Sequence, residues 1–362
     1  MYSTRSATQT KTSRSRIILS LSLLLVLMLV LQACGGGSQP PAAGSESRSG
    51  SNSSGSHTEQ TASEETGSTP QASVDTLVYG FVGTNQPGAI EGWGFHTGII
   101  QEELKPYGIN NVELVPFQTG PDLNESVISG RIDVGNSGDT PALLARSTGA
   151  KTRLVNFTNT EVNSVLIGRK DGPQTVEELK KVAVVKGSLM YRFLVGYLEE
   201  KGLTDQVEVI NINSIPDTEA ALLRGEIDAY AYGSAFYSGY KLLQEGHPLL
   251  AESREYPHLL SVSVVYTTDD YLEKFPGFQD VWREALRKSY EDLSAKPDEY
   301  YAWLAESTGT PEEALREIQP IELLPTEALS AEGIERIKAS KDFLVAENLA
   351  RRDFDIDEWI VN

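Results

Sequence analysis

The chain has 362 residues, 51 acidic and 31 basic, and carries a formal charge of −20 at neutral pH. So acidic a balance excludes nucleic acid as a partner, because phosphate backbones reward basic faces. Its single cysteine excludes an internal disulfide, while the length and a 40% share of hydrophobic residues allow more than one core.

At the amino end Arg5, Lys11, Arg14 and Arg16 form a cationic start with no acid among them, and Ile17 to Leu31 is an almost unbroken apolar run. About 15 residues fall short of the roughly 20 needed to cross a bilayer. They suit the apolar core of a signal peptide. The run ends in Leu31-Gln32-Ala33-Cys34 and three glycines, which resembles a bacterial lipobox. Residues 1–33 are therefore expected to be a lipoprotein signal peptide, with Cys34 lipidated. The alternative is an ordinary signal peptide with a chance cysteine. Residues 34–74, mostly Ser, Gly, Thr, Gln, Pro and Ala, hold almost nothing that could build a core and read as a disordered tether. About 40 such residues reach roughly 35 Å.

From residue 75 the pattern alternates. Thr76–Val82, Val112–Phe117, Ile132–Val134, Leu154–Phe157, Val182–Val185, Val207–Ile212 and Ile227–Tyr232 are Val- and Ile-rich and predict short buried strands. Helical patterns lie between them. Leu189, Met190, Phe193, Leu194, Tyr197 and Leu198 recur at helical spacing, with Gly202 as a stop signal. Thr175 with Glu178, and Thr310-Pro311-Glu312-Glu313, predict capping-box helix starts, the second with proline at the first helical position. After about residue 268 nearly everything reads as helix. The alternation predicts an α/β fold with mainly parallel sheets.

The chain also repeats itself. Ser126-Val127-Ile128-Ser129-Gly130-Arg131-Ile132-Asp133 is echoed 95 residues on by Ala221-Leu222-Leu223-Arg224-Gly225-Glu226-Ile227-Asp228. Each reads as a helix end, a glycine suited to the left-handed position after it, and a strand opening with Ile-Asp. The same offset pairs Gly138 with Gly233 and Asp139 with Ser234. Two similar lobes would each offer a strand-to-helix turn at the carboxyl edge of a sheet, where ligands of open α/β sheets bind. Chance similarity of two short units is the other explanation.

Two turns are candidates for the site. In Asn136-Ser137-Gly138-Asp139-Thr140-Pro141, Thr140 suits the N-cap and Pro141 the first helical position. In Lys186-Gly187-Ser188 the serine can cap a helix starting at Leu189. Each turn by itself is an ordinary helix cap; on facing lobes they could grip an anion through free N–H groups and the helix dipole. Two termini supply at most about 4 kcal/mol, and micromolar capture needs about 8, so direct hydrogen bonds and apolar contact must add the rest. Thr84 in the loop after the first strand, the segment Trp93-Gly94-Phe95-His96, and Tyr232, Ser234 and Phe236 are the expected walls; the aromatics could equally be core. Enzyme signatures are missing. The four histidines (His57, His96, His247 and His258) show no metal-ligand spacing, and there is no Gly-x-Ser-x-Gly elbow and no phosphate-binding P-loop. No catalysis, metal or cofactor is expected.

These residues resemble a family. Val115-Pro116-Phe117-Gln118-Thr119-Gly120-Pro121-Asp122, then Gly130 to Ala142, then Val182 to Ser188, then Ala221 to Tyr230 are similar to stretches of the substrate-binding proteins of nitrate, sulfonate and taurine ABC importers, in order and at fitting intervals. The resemblance implies a two-lobed type II periplasmic-binding-protein fold. Lobe 1 would comprise 75–162 and 258–362, lobe 2 163–257. It implies ligand contact at Ser137 to Thr140 and Lys186 to Ser188. Many sulfonate binders carry Trp-Asp-Pro where this chain has Tyr232-Gly233-Ser234, so the lobe 2 wall is changed. The expected protein is a monomeric receptor, lipid-anchored on the extracytoplasmic face, that delivers a small anion to an ABC permease with its ATPase. An alkanesulfonate or taurine-like ligand is favoured, with Asp139 placed either to meet an amino group or to serve its own helix. Nitrate, bicarbonate or a thiamin-precursor pyrimidine on the same fold, a sensory lipoprotein without transport, and an enzyme of pyrimidine synthesis on the same fold are the rivals.

Overall fold

The computed structural model describes residues 71–83 and 85–361; the signal segment, Cys34 and the tether lie outside them, as does Thr84. Ten strands form two five-stranded sheets. The first contains β1 (Thr76–Val82), β2 (Asn111–Phe117), β3 (Val134–Gly138), β4 (Thr152–Val162) and, much later, β10 (Ser261–Thr268). The second contains β5 (Ser164–Gly168), β6 (Lys181–Val184), β7 (Glu208–Asn211), β8 (Ala229–Gly233) and β9 (Leu249–Glu252).

The orders are β2-β1-β3-β10-β4 and β7-β6-β8-β5-β9. Three strands in each sheet are parallel and joined through helices, as crossover connections require. The next two pair antiparallel. Four strands of each sheet thus run in one direction and one, β10 or β5, runs against them, so the sheets are mainly parallel as expected, with a single reversed strand laid down where the chain passes between sheets. It leaves the first sheet at Val162 to Ser164 and returns between Glu252 and Ser261. The carboxyl end comes back to the first sheet: Val361 N donates to Leu154 O at 2.9 Å, and Arg283 donates to the carbonyls of Val155 and Val361. Both faces of each sheet are covered by apolar clusters.

The repeated Gly-x-Ile-Asp unit has a physical meaning in both sheets. Gly130 (φ 72°) and Gly225 (φ 73°) take the left-handed conformation after helices Gly120–Ile128 and Ile215–Arg224. The aspartate three residues later then clamps the neighbouring first strand. Asp133 Oδ2 accepts from Val78 N at 2.9 Å, and Asp228 Oδ2 accepts from Lys180 N and Lys181 N at 2.9 and 3.0 Å. The same backbone device is built twice.

Several expected boundaries move. The strand expected at Ile132–Val134 runs Val134–Gly138 instead. Val-Gly-Asn-Ser-Gly has little strand propensity, yet β1 and β10 pair with it on both sides, so tertiary pairing overrides propensity. A side chain at Gly135 would meet Tyr266 and Val127 at 3.0 and 2.8 Å. Strands β5, β9 and β10 were not among the expected ones. Thr175 caps nothing: only a 3-10 turn, Val176–Glu178, forms there. The helix expected from Pro311 is Glu312–Ile318, with Pro311 in the N-cap position and no side-chain cap. The helix Leu189–Glu200 starts and stops as expected, with Ser188 Oγ accepting from Tyr191 N at 3.2 Å and Gly202 at φ 67°.

Candidate functional site

The carboxyl ends of β3 and β8 face each other across a cleft of about 320 Å³. Gly138 and Gly233, the final residues of those strands, both line it. The two sheets close on it from either side. A Cβ at Gly138 would come within 2.3 Å of Leu189 Cδ2, so a side chain there would have to displace Leu189 where the β3 turn meets the start of the Leu189–Glu200 helix. On the other side Gln319 Nε2 donates to Ala235 O at 3.0 Å and Tyr240 Oη to Glu317 Oε2 at 3.0 Å.

Helix starts converge on this space. The helices Ala89–Thr97 (N-cap Gly88), Asp139–Ser147 (N-cap Gly138) and Tyr237–Gln244 (N-cap Phe236) have no side-chain cap, and all three N-cap residues line the cavity. First-turn N–H groups lack backbone acceptors within a helix, though in the Asp139–Ser147 helix Thr140 N is taken by Asp139 Oδ1 and Pro141 has none; the dipoles of all three favour an anion. Ala89 also sits at φ 56°, a conformation costly for a residue with a side chain. Polar side chains between these turns include Asn136, Ser137, Thr158, Asn159, Ser263 and Gln319. The charged lining residues are Glu161 and Arg254. Glu161 Oε1 is paired with Arg336 Nη2 at 3.0 Å.

Of the residues expected from sequence, Asn136, Ser137, Gly138, Ser188, Ser234 and Phe236 line the cavity. The others do not. Asp139 is fully buried and serves its own helix and core: Oδ1 accepts from Thr140 N at 2.6 Å and Thr140 Oγ1 at 3.1 Å, Oδ2 from Ser340 Oγ at 2.7 Å and Val262 N at 3.3 Å. Thr140 is fully buried on Asp139 and caps nothing, because the helix begins one residue earlier. Lys186 is exposed, its N–H bonded to Asn211 Oδ1 at 2.8 Å; Gly187 (φ 79°) only turns the chain. Tyr232 is buried, with Oη 2.5 Å from Ser238 Oγ.

The aromatic segment is corrected as a whole. It lies on the Ala89–Thr97 helix and is not a wall of the cleft, because its rings pack away from it. Trp93 joins Tyr300, Tyr301 and Leu304, with Nε1 donating to Asp292 Oδ2 at 2.9 Å. Phe95 lies against Tyr79 and Trp282, and the exposed His96 stacks on Trp303. What reaches the cavity is the start of that helix, at Pro87, Gly88 and Ala89. Missed lining residues include Phe81, Asn163, Arg254 and Ser263. The polar run Thr158-Asn159-Thr160, directly after an apolar strand, was a readable signal; Arg254 had none.

Beneath the lining, Glu91 is buried in the first turn of its helix. Oε1 accepts from Asn156 Nδ2 at 3.4 Å and Oε2 has no partner. Burial pushes its carboxyl up to about 7. Arg192, buried on the Leu189–Glu200 helix, donates to the carbonyls of His258, Leu259 and Leu260 and to Ser261 Oγ. It thereby ties the second sheet's helix to the returning segment. Burial lowers its pKa, opposed by Asp139.

The family described as NMT1/THI5 like matches residues 105–300. An Escherichia coli (strain K12) protein named for binding aliphatic sulfonates is 30% identical over 155 residues, 42% of this chain and 48% of that one. The taurine-binding periplasmic protein of the same organism is 26% identical over 208 residues, 54% of this chain and 63% of that one. The matches thus span just under half and just under two thirds of these two relatives. Among solved structures, the alkanesulfonate-binding protein SsuA from Xanthomonas axonopodis pv. citri, bound to MOPS, superposes with TM-score 0.67 at 22% identity, over 80% of this chain and 98% of that one. The desulfurization enzyme DSZB shares the fold at TM-score 0.63 and 17% identity, over 80% of this chain and 96% of that one. The fold is that of periplasmic binding proteins, and it hosts both binding and chemistry.

Proposed function

Because the chain belongs to the NMT1/THI5-like family, we propose that it is the solute receptor of an ABC importer, capturing a small organic anion of the alkanesulfonate or taurine type between its lobes. The observation that carries this reading is the cavity itself, enclosed between two sheets and faced by three uncapped helix starts. Among the described residues no histidine or cysteine lines it, which favours binding over imidazole or thiol chemistry. Residues 75–162 with 258–362, and 163–257, would act as the two lobes, closing about the two crossings by a hinge and presenting the closed form to a permease.

Among the described residues no helix is long and apolar enough to cross a membrane. Attachment would come from lipid on Cys34, on the extracytoplasmic face; a Cys34→Ser variant that still takes up an acyl label would refute this. The functional test is a thermal-shift series on the full-length protein with alkanesulfonates, taurine, nitrate, bicarbonate and thiamin precursors. A true ligand at 100 times its Kd adds about 2.7 kcal/mol. No shift with any of these would overturn the receptor reading.

A further inference from the structure

A simple alkanesulfonate and taurine differ by one charge, the ammonium of the second. Arg254 stands on the segment that returns to the first sheet. Its backbone is fixed, since Arg254 N donates to Asn163 Oδ1 at 3.1 Å and the preceding Ser253 is fully buried. Its guanidinium makes no hydrogen bond or ion pair with any described residue. The other charged lining residue, Glu161, already has an ionic partner: Arg336, itself largely buried, pairs with it at 3.0 Å, pairs with Glu332 at 2.6 Å and donates to Thr160 O. Asp139, the acid best placed by sequence to meet an amino group, is buried outside the lining, with four donors on its carboxylate. Among the described residues the lining thus holds one charge without an ionic partner, and it is positive. Much of the remaining wall is apolar, with Phe81, Leu189, Met190, Phe236, Leu323 and Leu324.

We infer that Arg254 is the counter-charge for the ligand's anionic head, and that the cavity takes a monoanion on an uncharged apolar arm in preference to a zwitterion of the same size. An ammonium in this space would give up water and have to compete with Arg336 for Glu161, the lining's one carboxylate, and it would face a wall that rewards carbon. The inference rests on the receptor reading above.

The test uses calorimetry on the full-length protein in nanodiscs with three probes of equal heavy-atom count: 1-butanesulfonate, 3-aminopropanesulfonate and the uncharged 1-butanesulfonamide. The first should bind about tenfold or more tighter than the second. Arg254→Gln should weaken butanesulfonate about tenfold or more while leaving the sulfonamide within about twofold. Arg254→Lys should restore part of the loss. Melting curves of both variants should match the parent, since the side chain is exposed and unbonded. If neither sulfonate binds, the sulfonate-receptor reading falls, and this inference with it. Equal affinities for the two sulfonates, or undiminished affinity in Arg254→Gln, would overturn this inference alone.

Discussion

Glu91 shows what a single buried group does to the whole. Its carboxyl is raised by burial to about 7 in the folded protein, from an ordinary value of 4.5. Between those pH values the folded state keeps a proton that the unfolded state releases, so stability from this group falls as pH rises. The contribution is complete below about 4.5, and about 3 kcal/mol of it is lost by the time pH has passed about 7. Glu91→Gln keeps the hydrogen bond from Asn156 and cannot ionise. The variant should match the parent near pH 4.5 and exceed it by up to about 3 kcal/mol at pH 8, read by urea unfolding at both values. An unchanged difference across pH would show that Glu91 is not the titrating group. Residue identity alone hid this: an acid in the first turn of a helix is ordinary dipole complementation, and only the packing of Tyr79, Trp282 and Asn156 around the same region makes it buried.

At the scale of elements, the two strand-to-helix turns were legible as a pair, but their hydroxyls do different work. Ser188 lies at the cavity and caps the Leu189–Glu200 helix. Thr140 lies on Asp139, inside the first sheet's core side. Ser188→Ala should therefore cost about 1 kcal/mol of stability and weaken ligand binding. Thr140→Ala should cost about 1 kcal/mol of stability and leave binding within about twofold. Calorimetry beside melting curves separates the two; equal loss of affinity in both variants would put Thr140 back in the site. The sequence could not make this distinction, because a threonine before a proline fits an N-cap. The real helix starts at Asp139, and Gly138 before it leaves room for Leu189.

For the whole molecule the decisive place is where the chain crosses between sheets. Asn163, buried at the first crossing, accepts at Oδ1 from Ser253 Oγ and Arg254 N and donates to Glu252 Oε2 at 2.9 Å. Its carbonyl receives Ser234 N at 3.0 Å. One side chain thus pins both crossings, and its backbone pins a cavity wall. Asn163→Ala removes the side-chain partner of Ser253 Oγ, Arg254 N and Glu252 Oε2, keeps the backbone bond to Ser234 N, and should lower stability by about 2 kcal/mol. It should also blunt the ligand-induced decrease in radius of gyration measured by small-angle scattering. A full decrease with parental affinity would mean that the crossings are held by Arg192 and the strand pairing alone.

What the sequence determined is local or repeated. The strands β1, β2, β6 and β7 with their Val, Leu and Ile residues, the helix from Leu189, and the doubled Gly-x-Ile-Asp unit all follow from hydrophobic period and backbone conformation, which neighbours along the chain dictate. The glycine turns at Gly138 and Gly233 followed from the repeat in the same way. Tertiary structure decided the rest. The strand Val134–Gly138 exists because two partners pair with it, and β5, β9 and β10 owe their place to the crossings. Trp93 and Phe95 turned out to be core because a helix from residues 278–295 covers them. Arg254 and Asn163 meet at the cavity although they are 91 positions apart in the chain. Hydrogen bonds and burial across such separations depend on which surfaces fold together, and no local pattern encodes them.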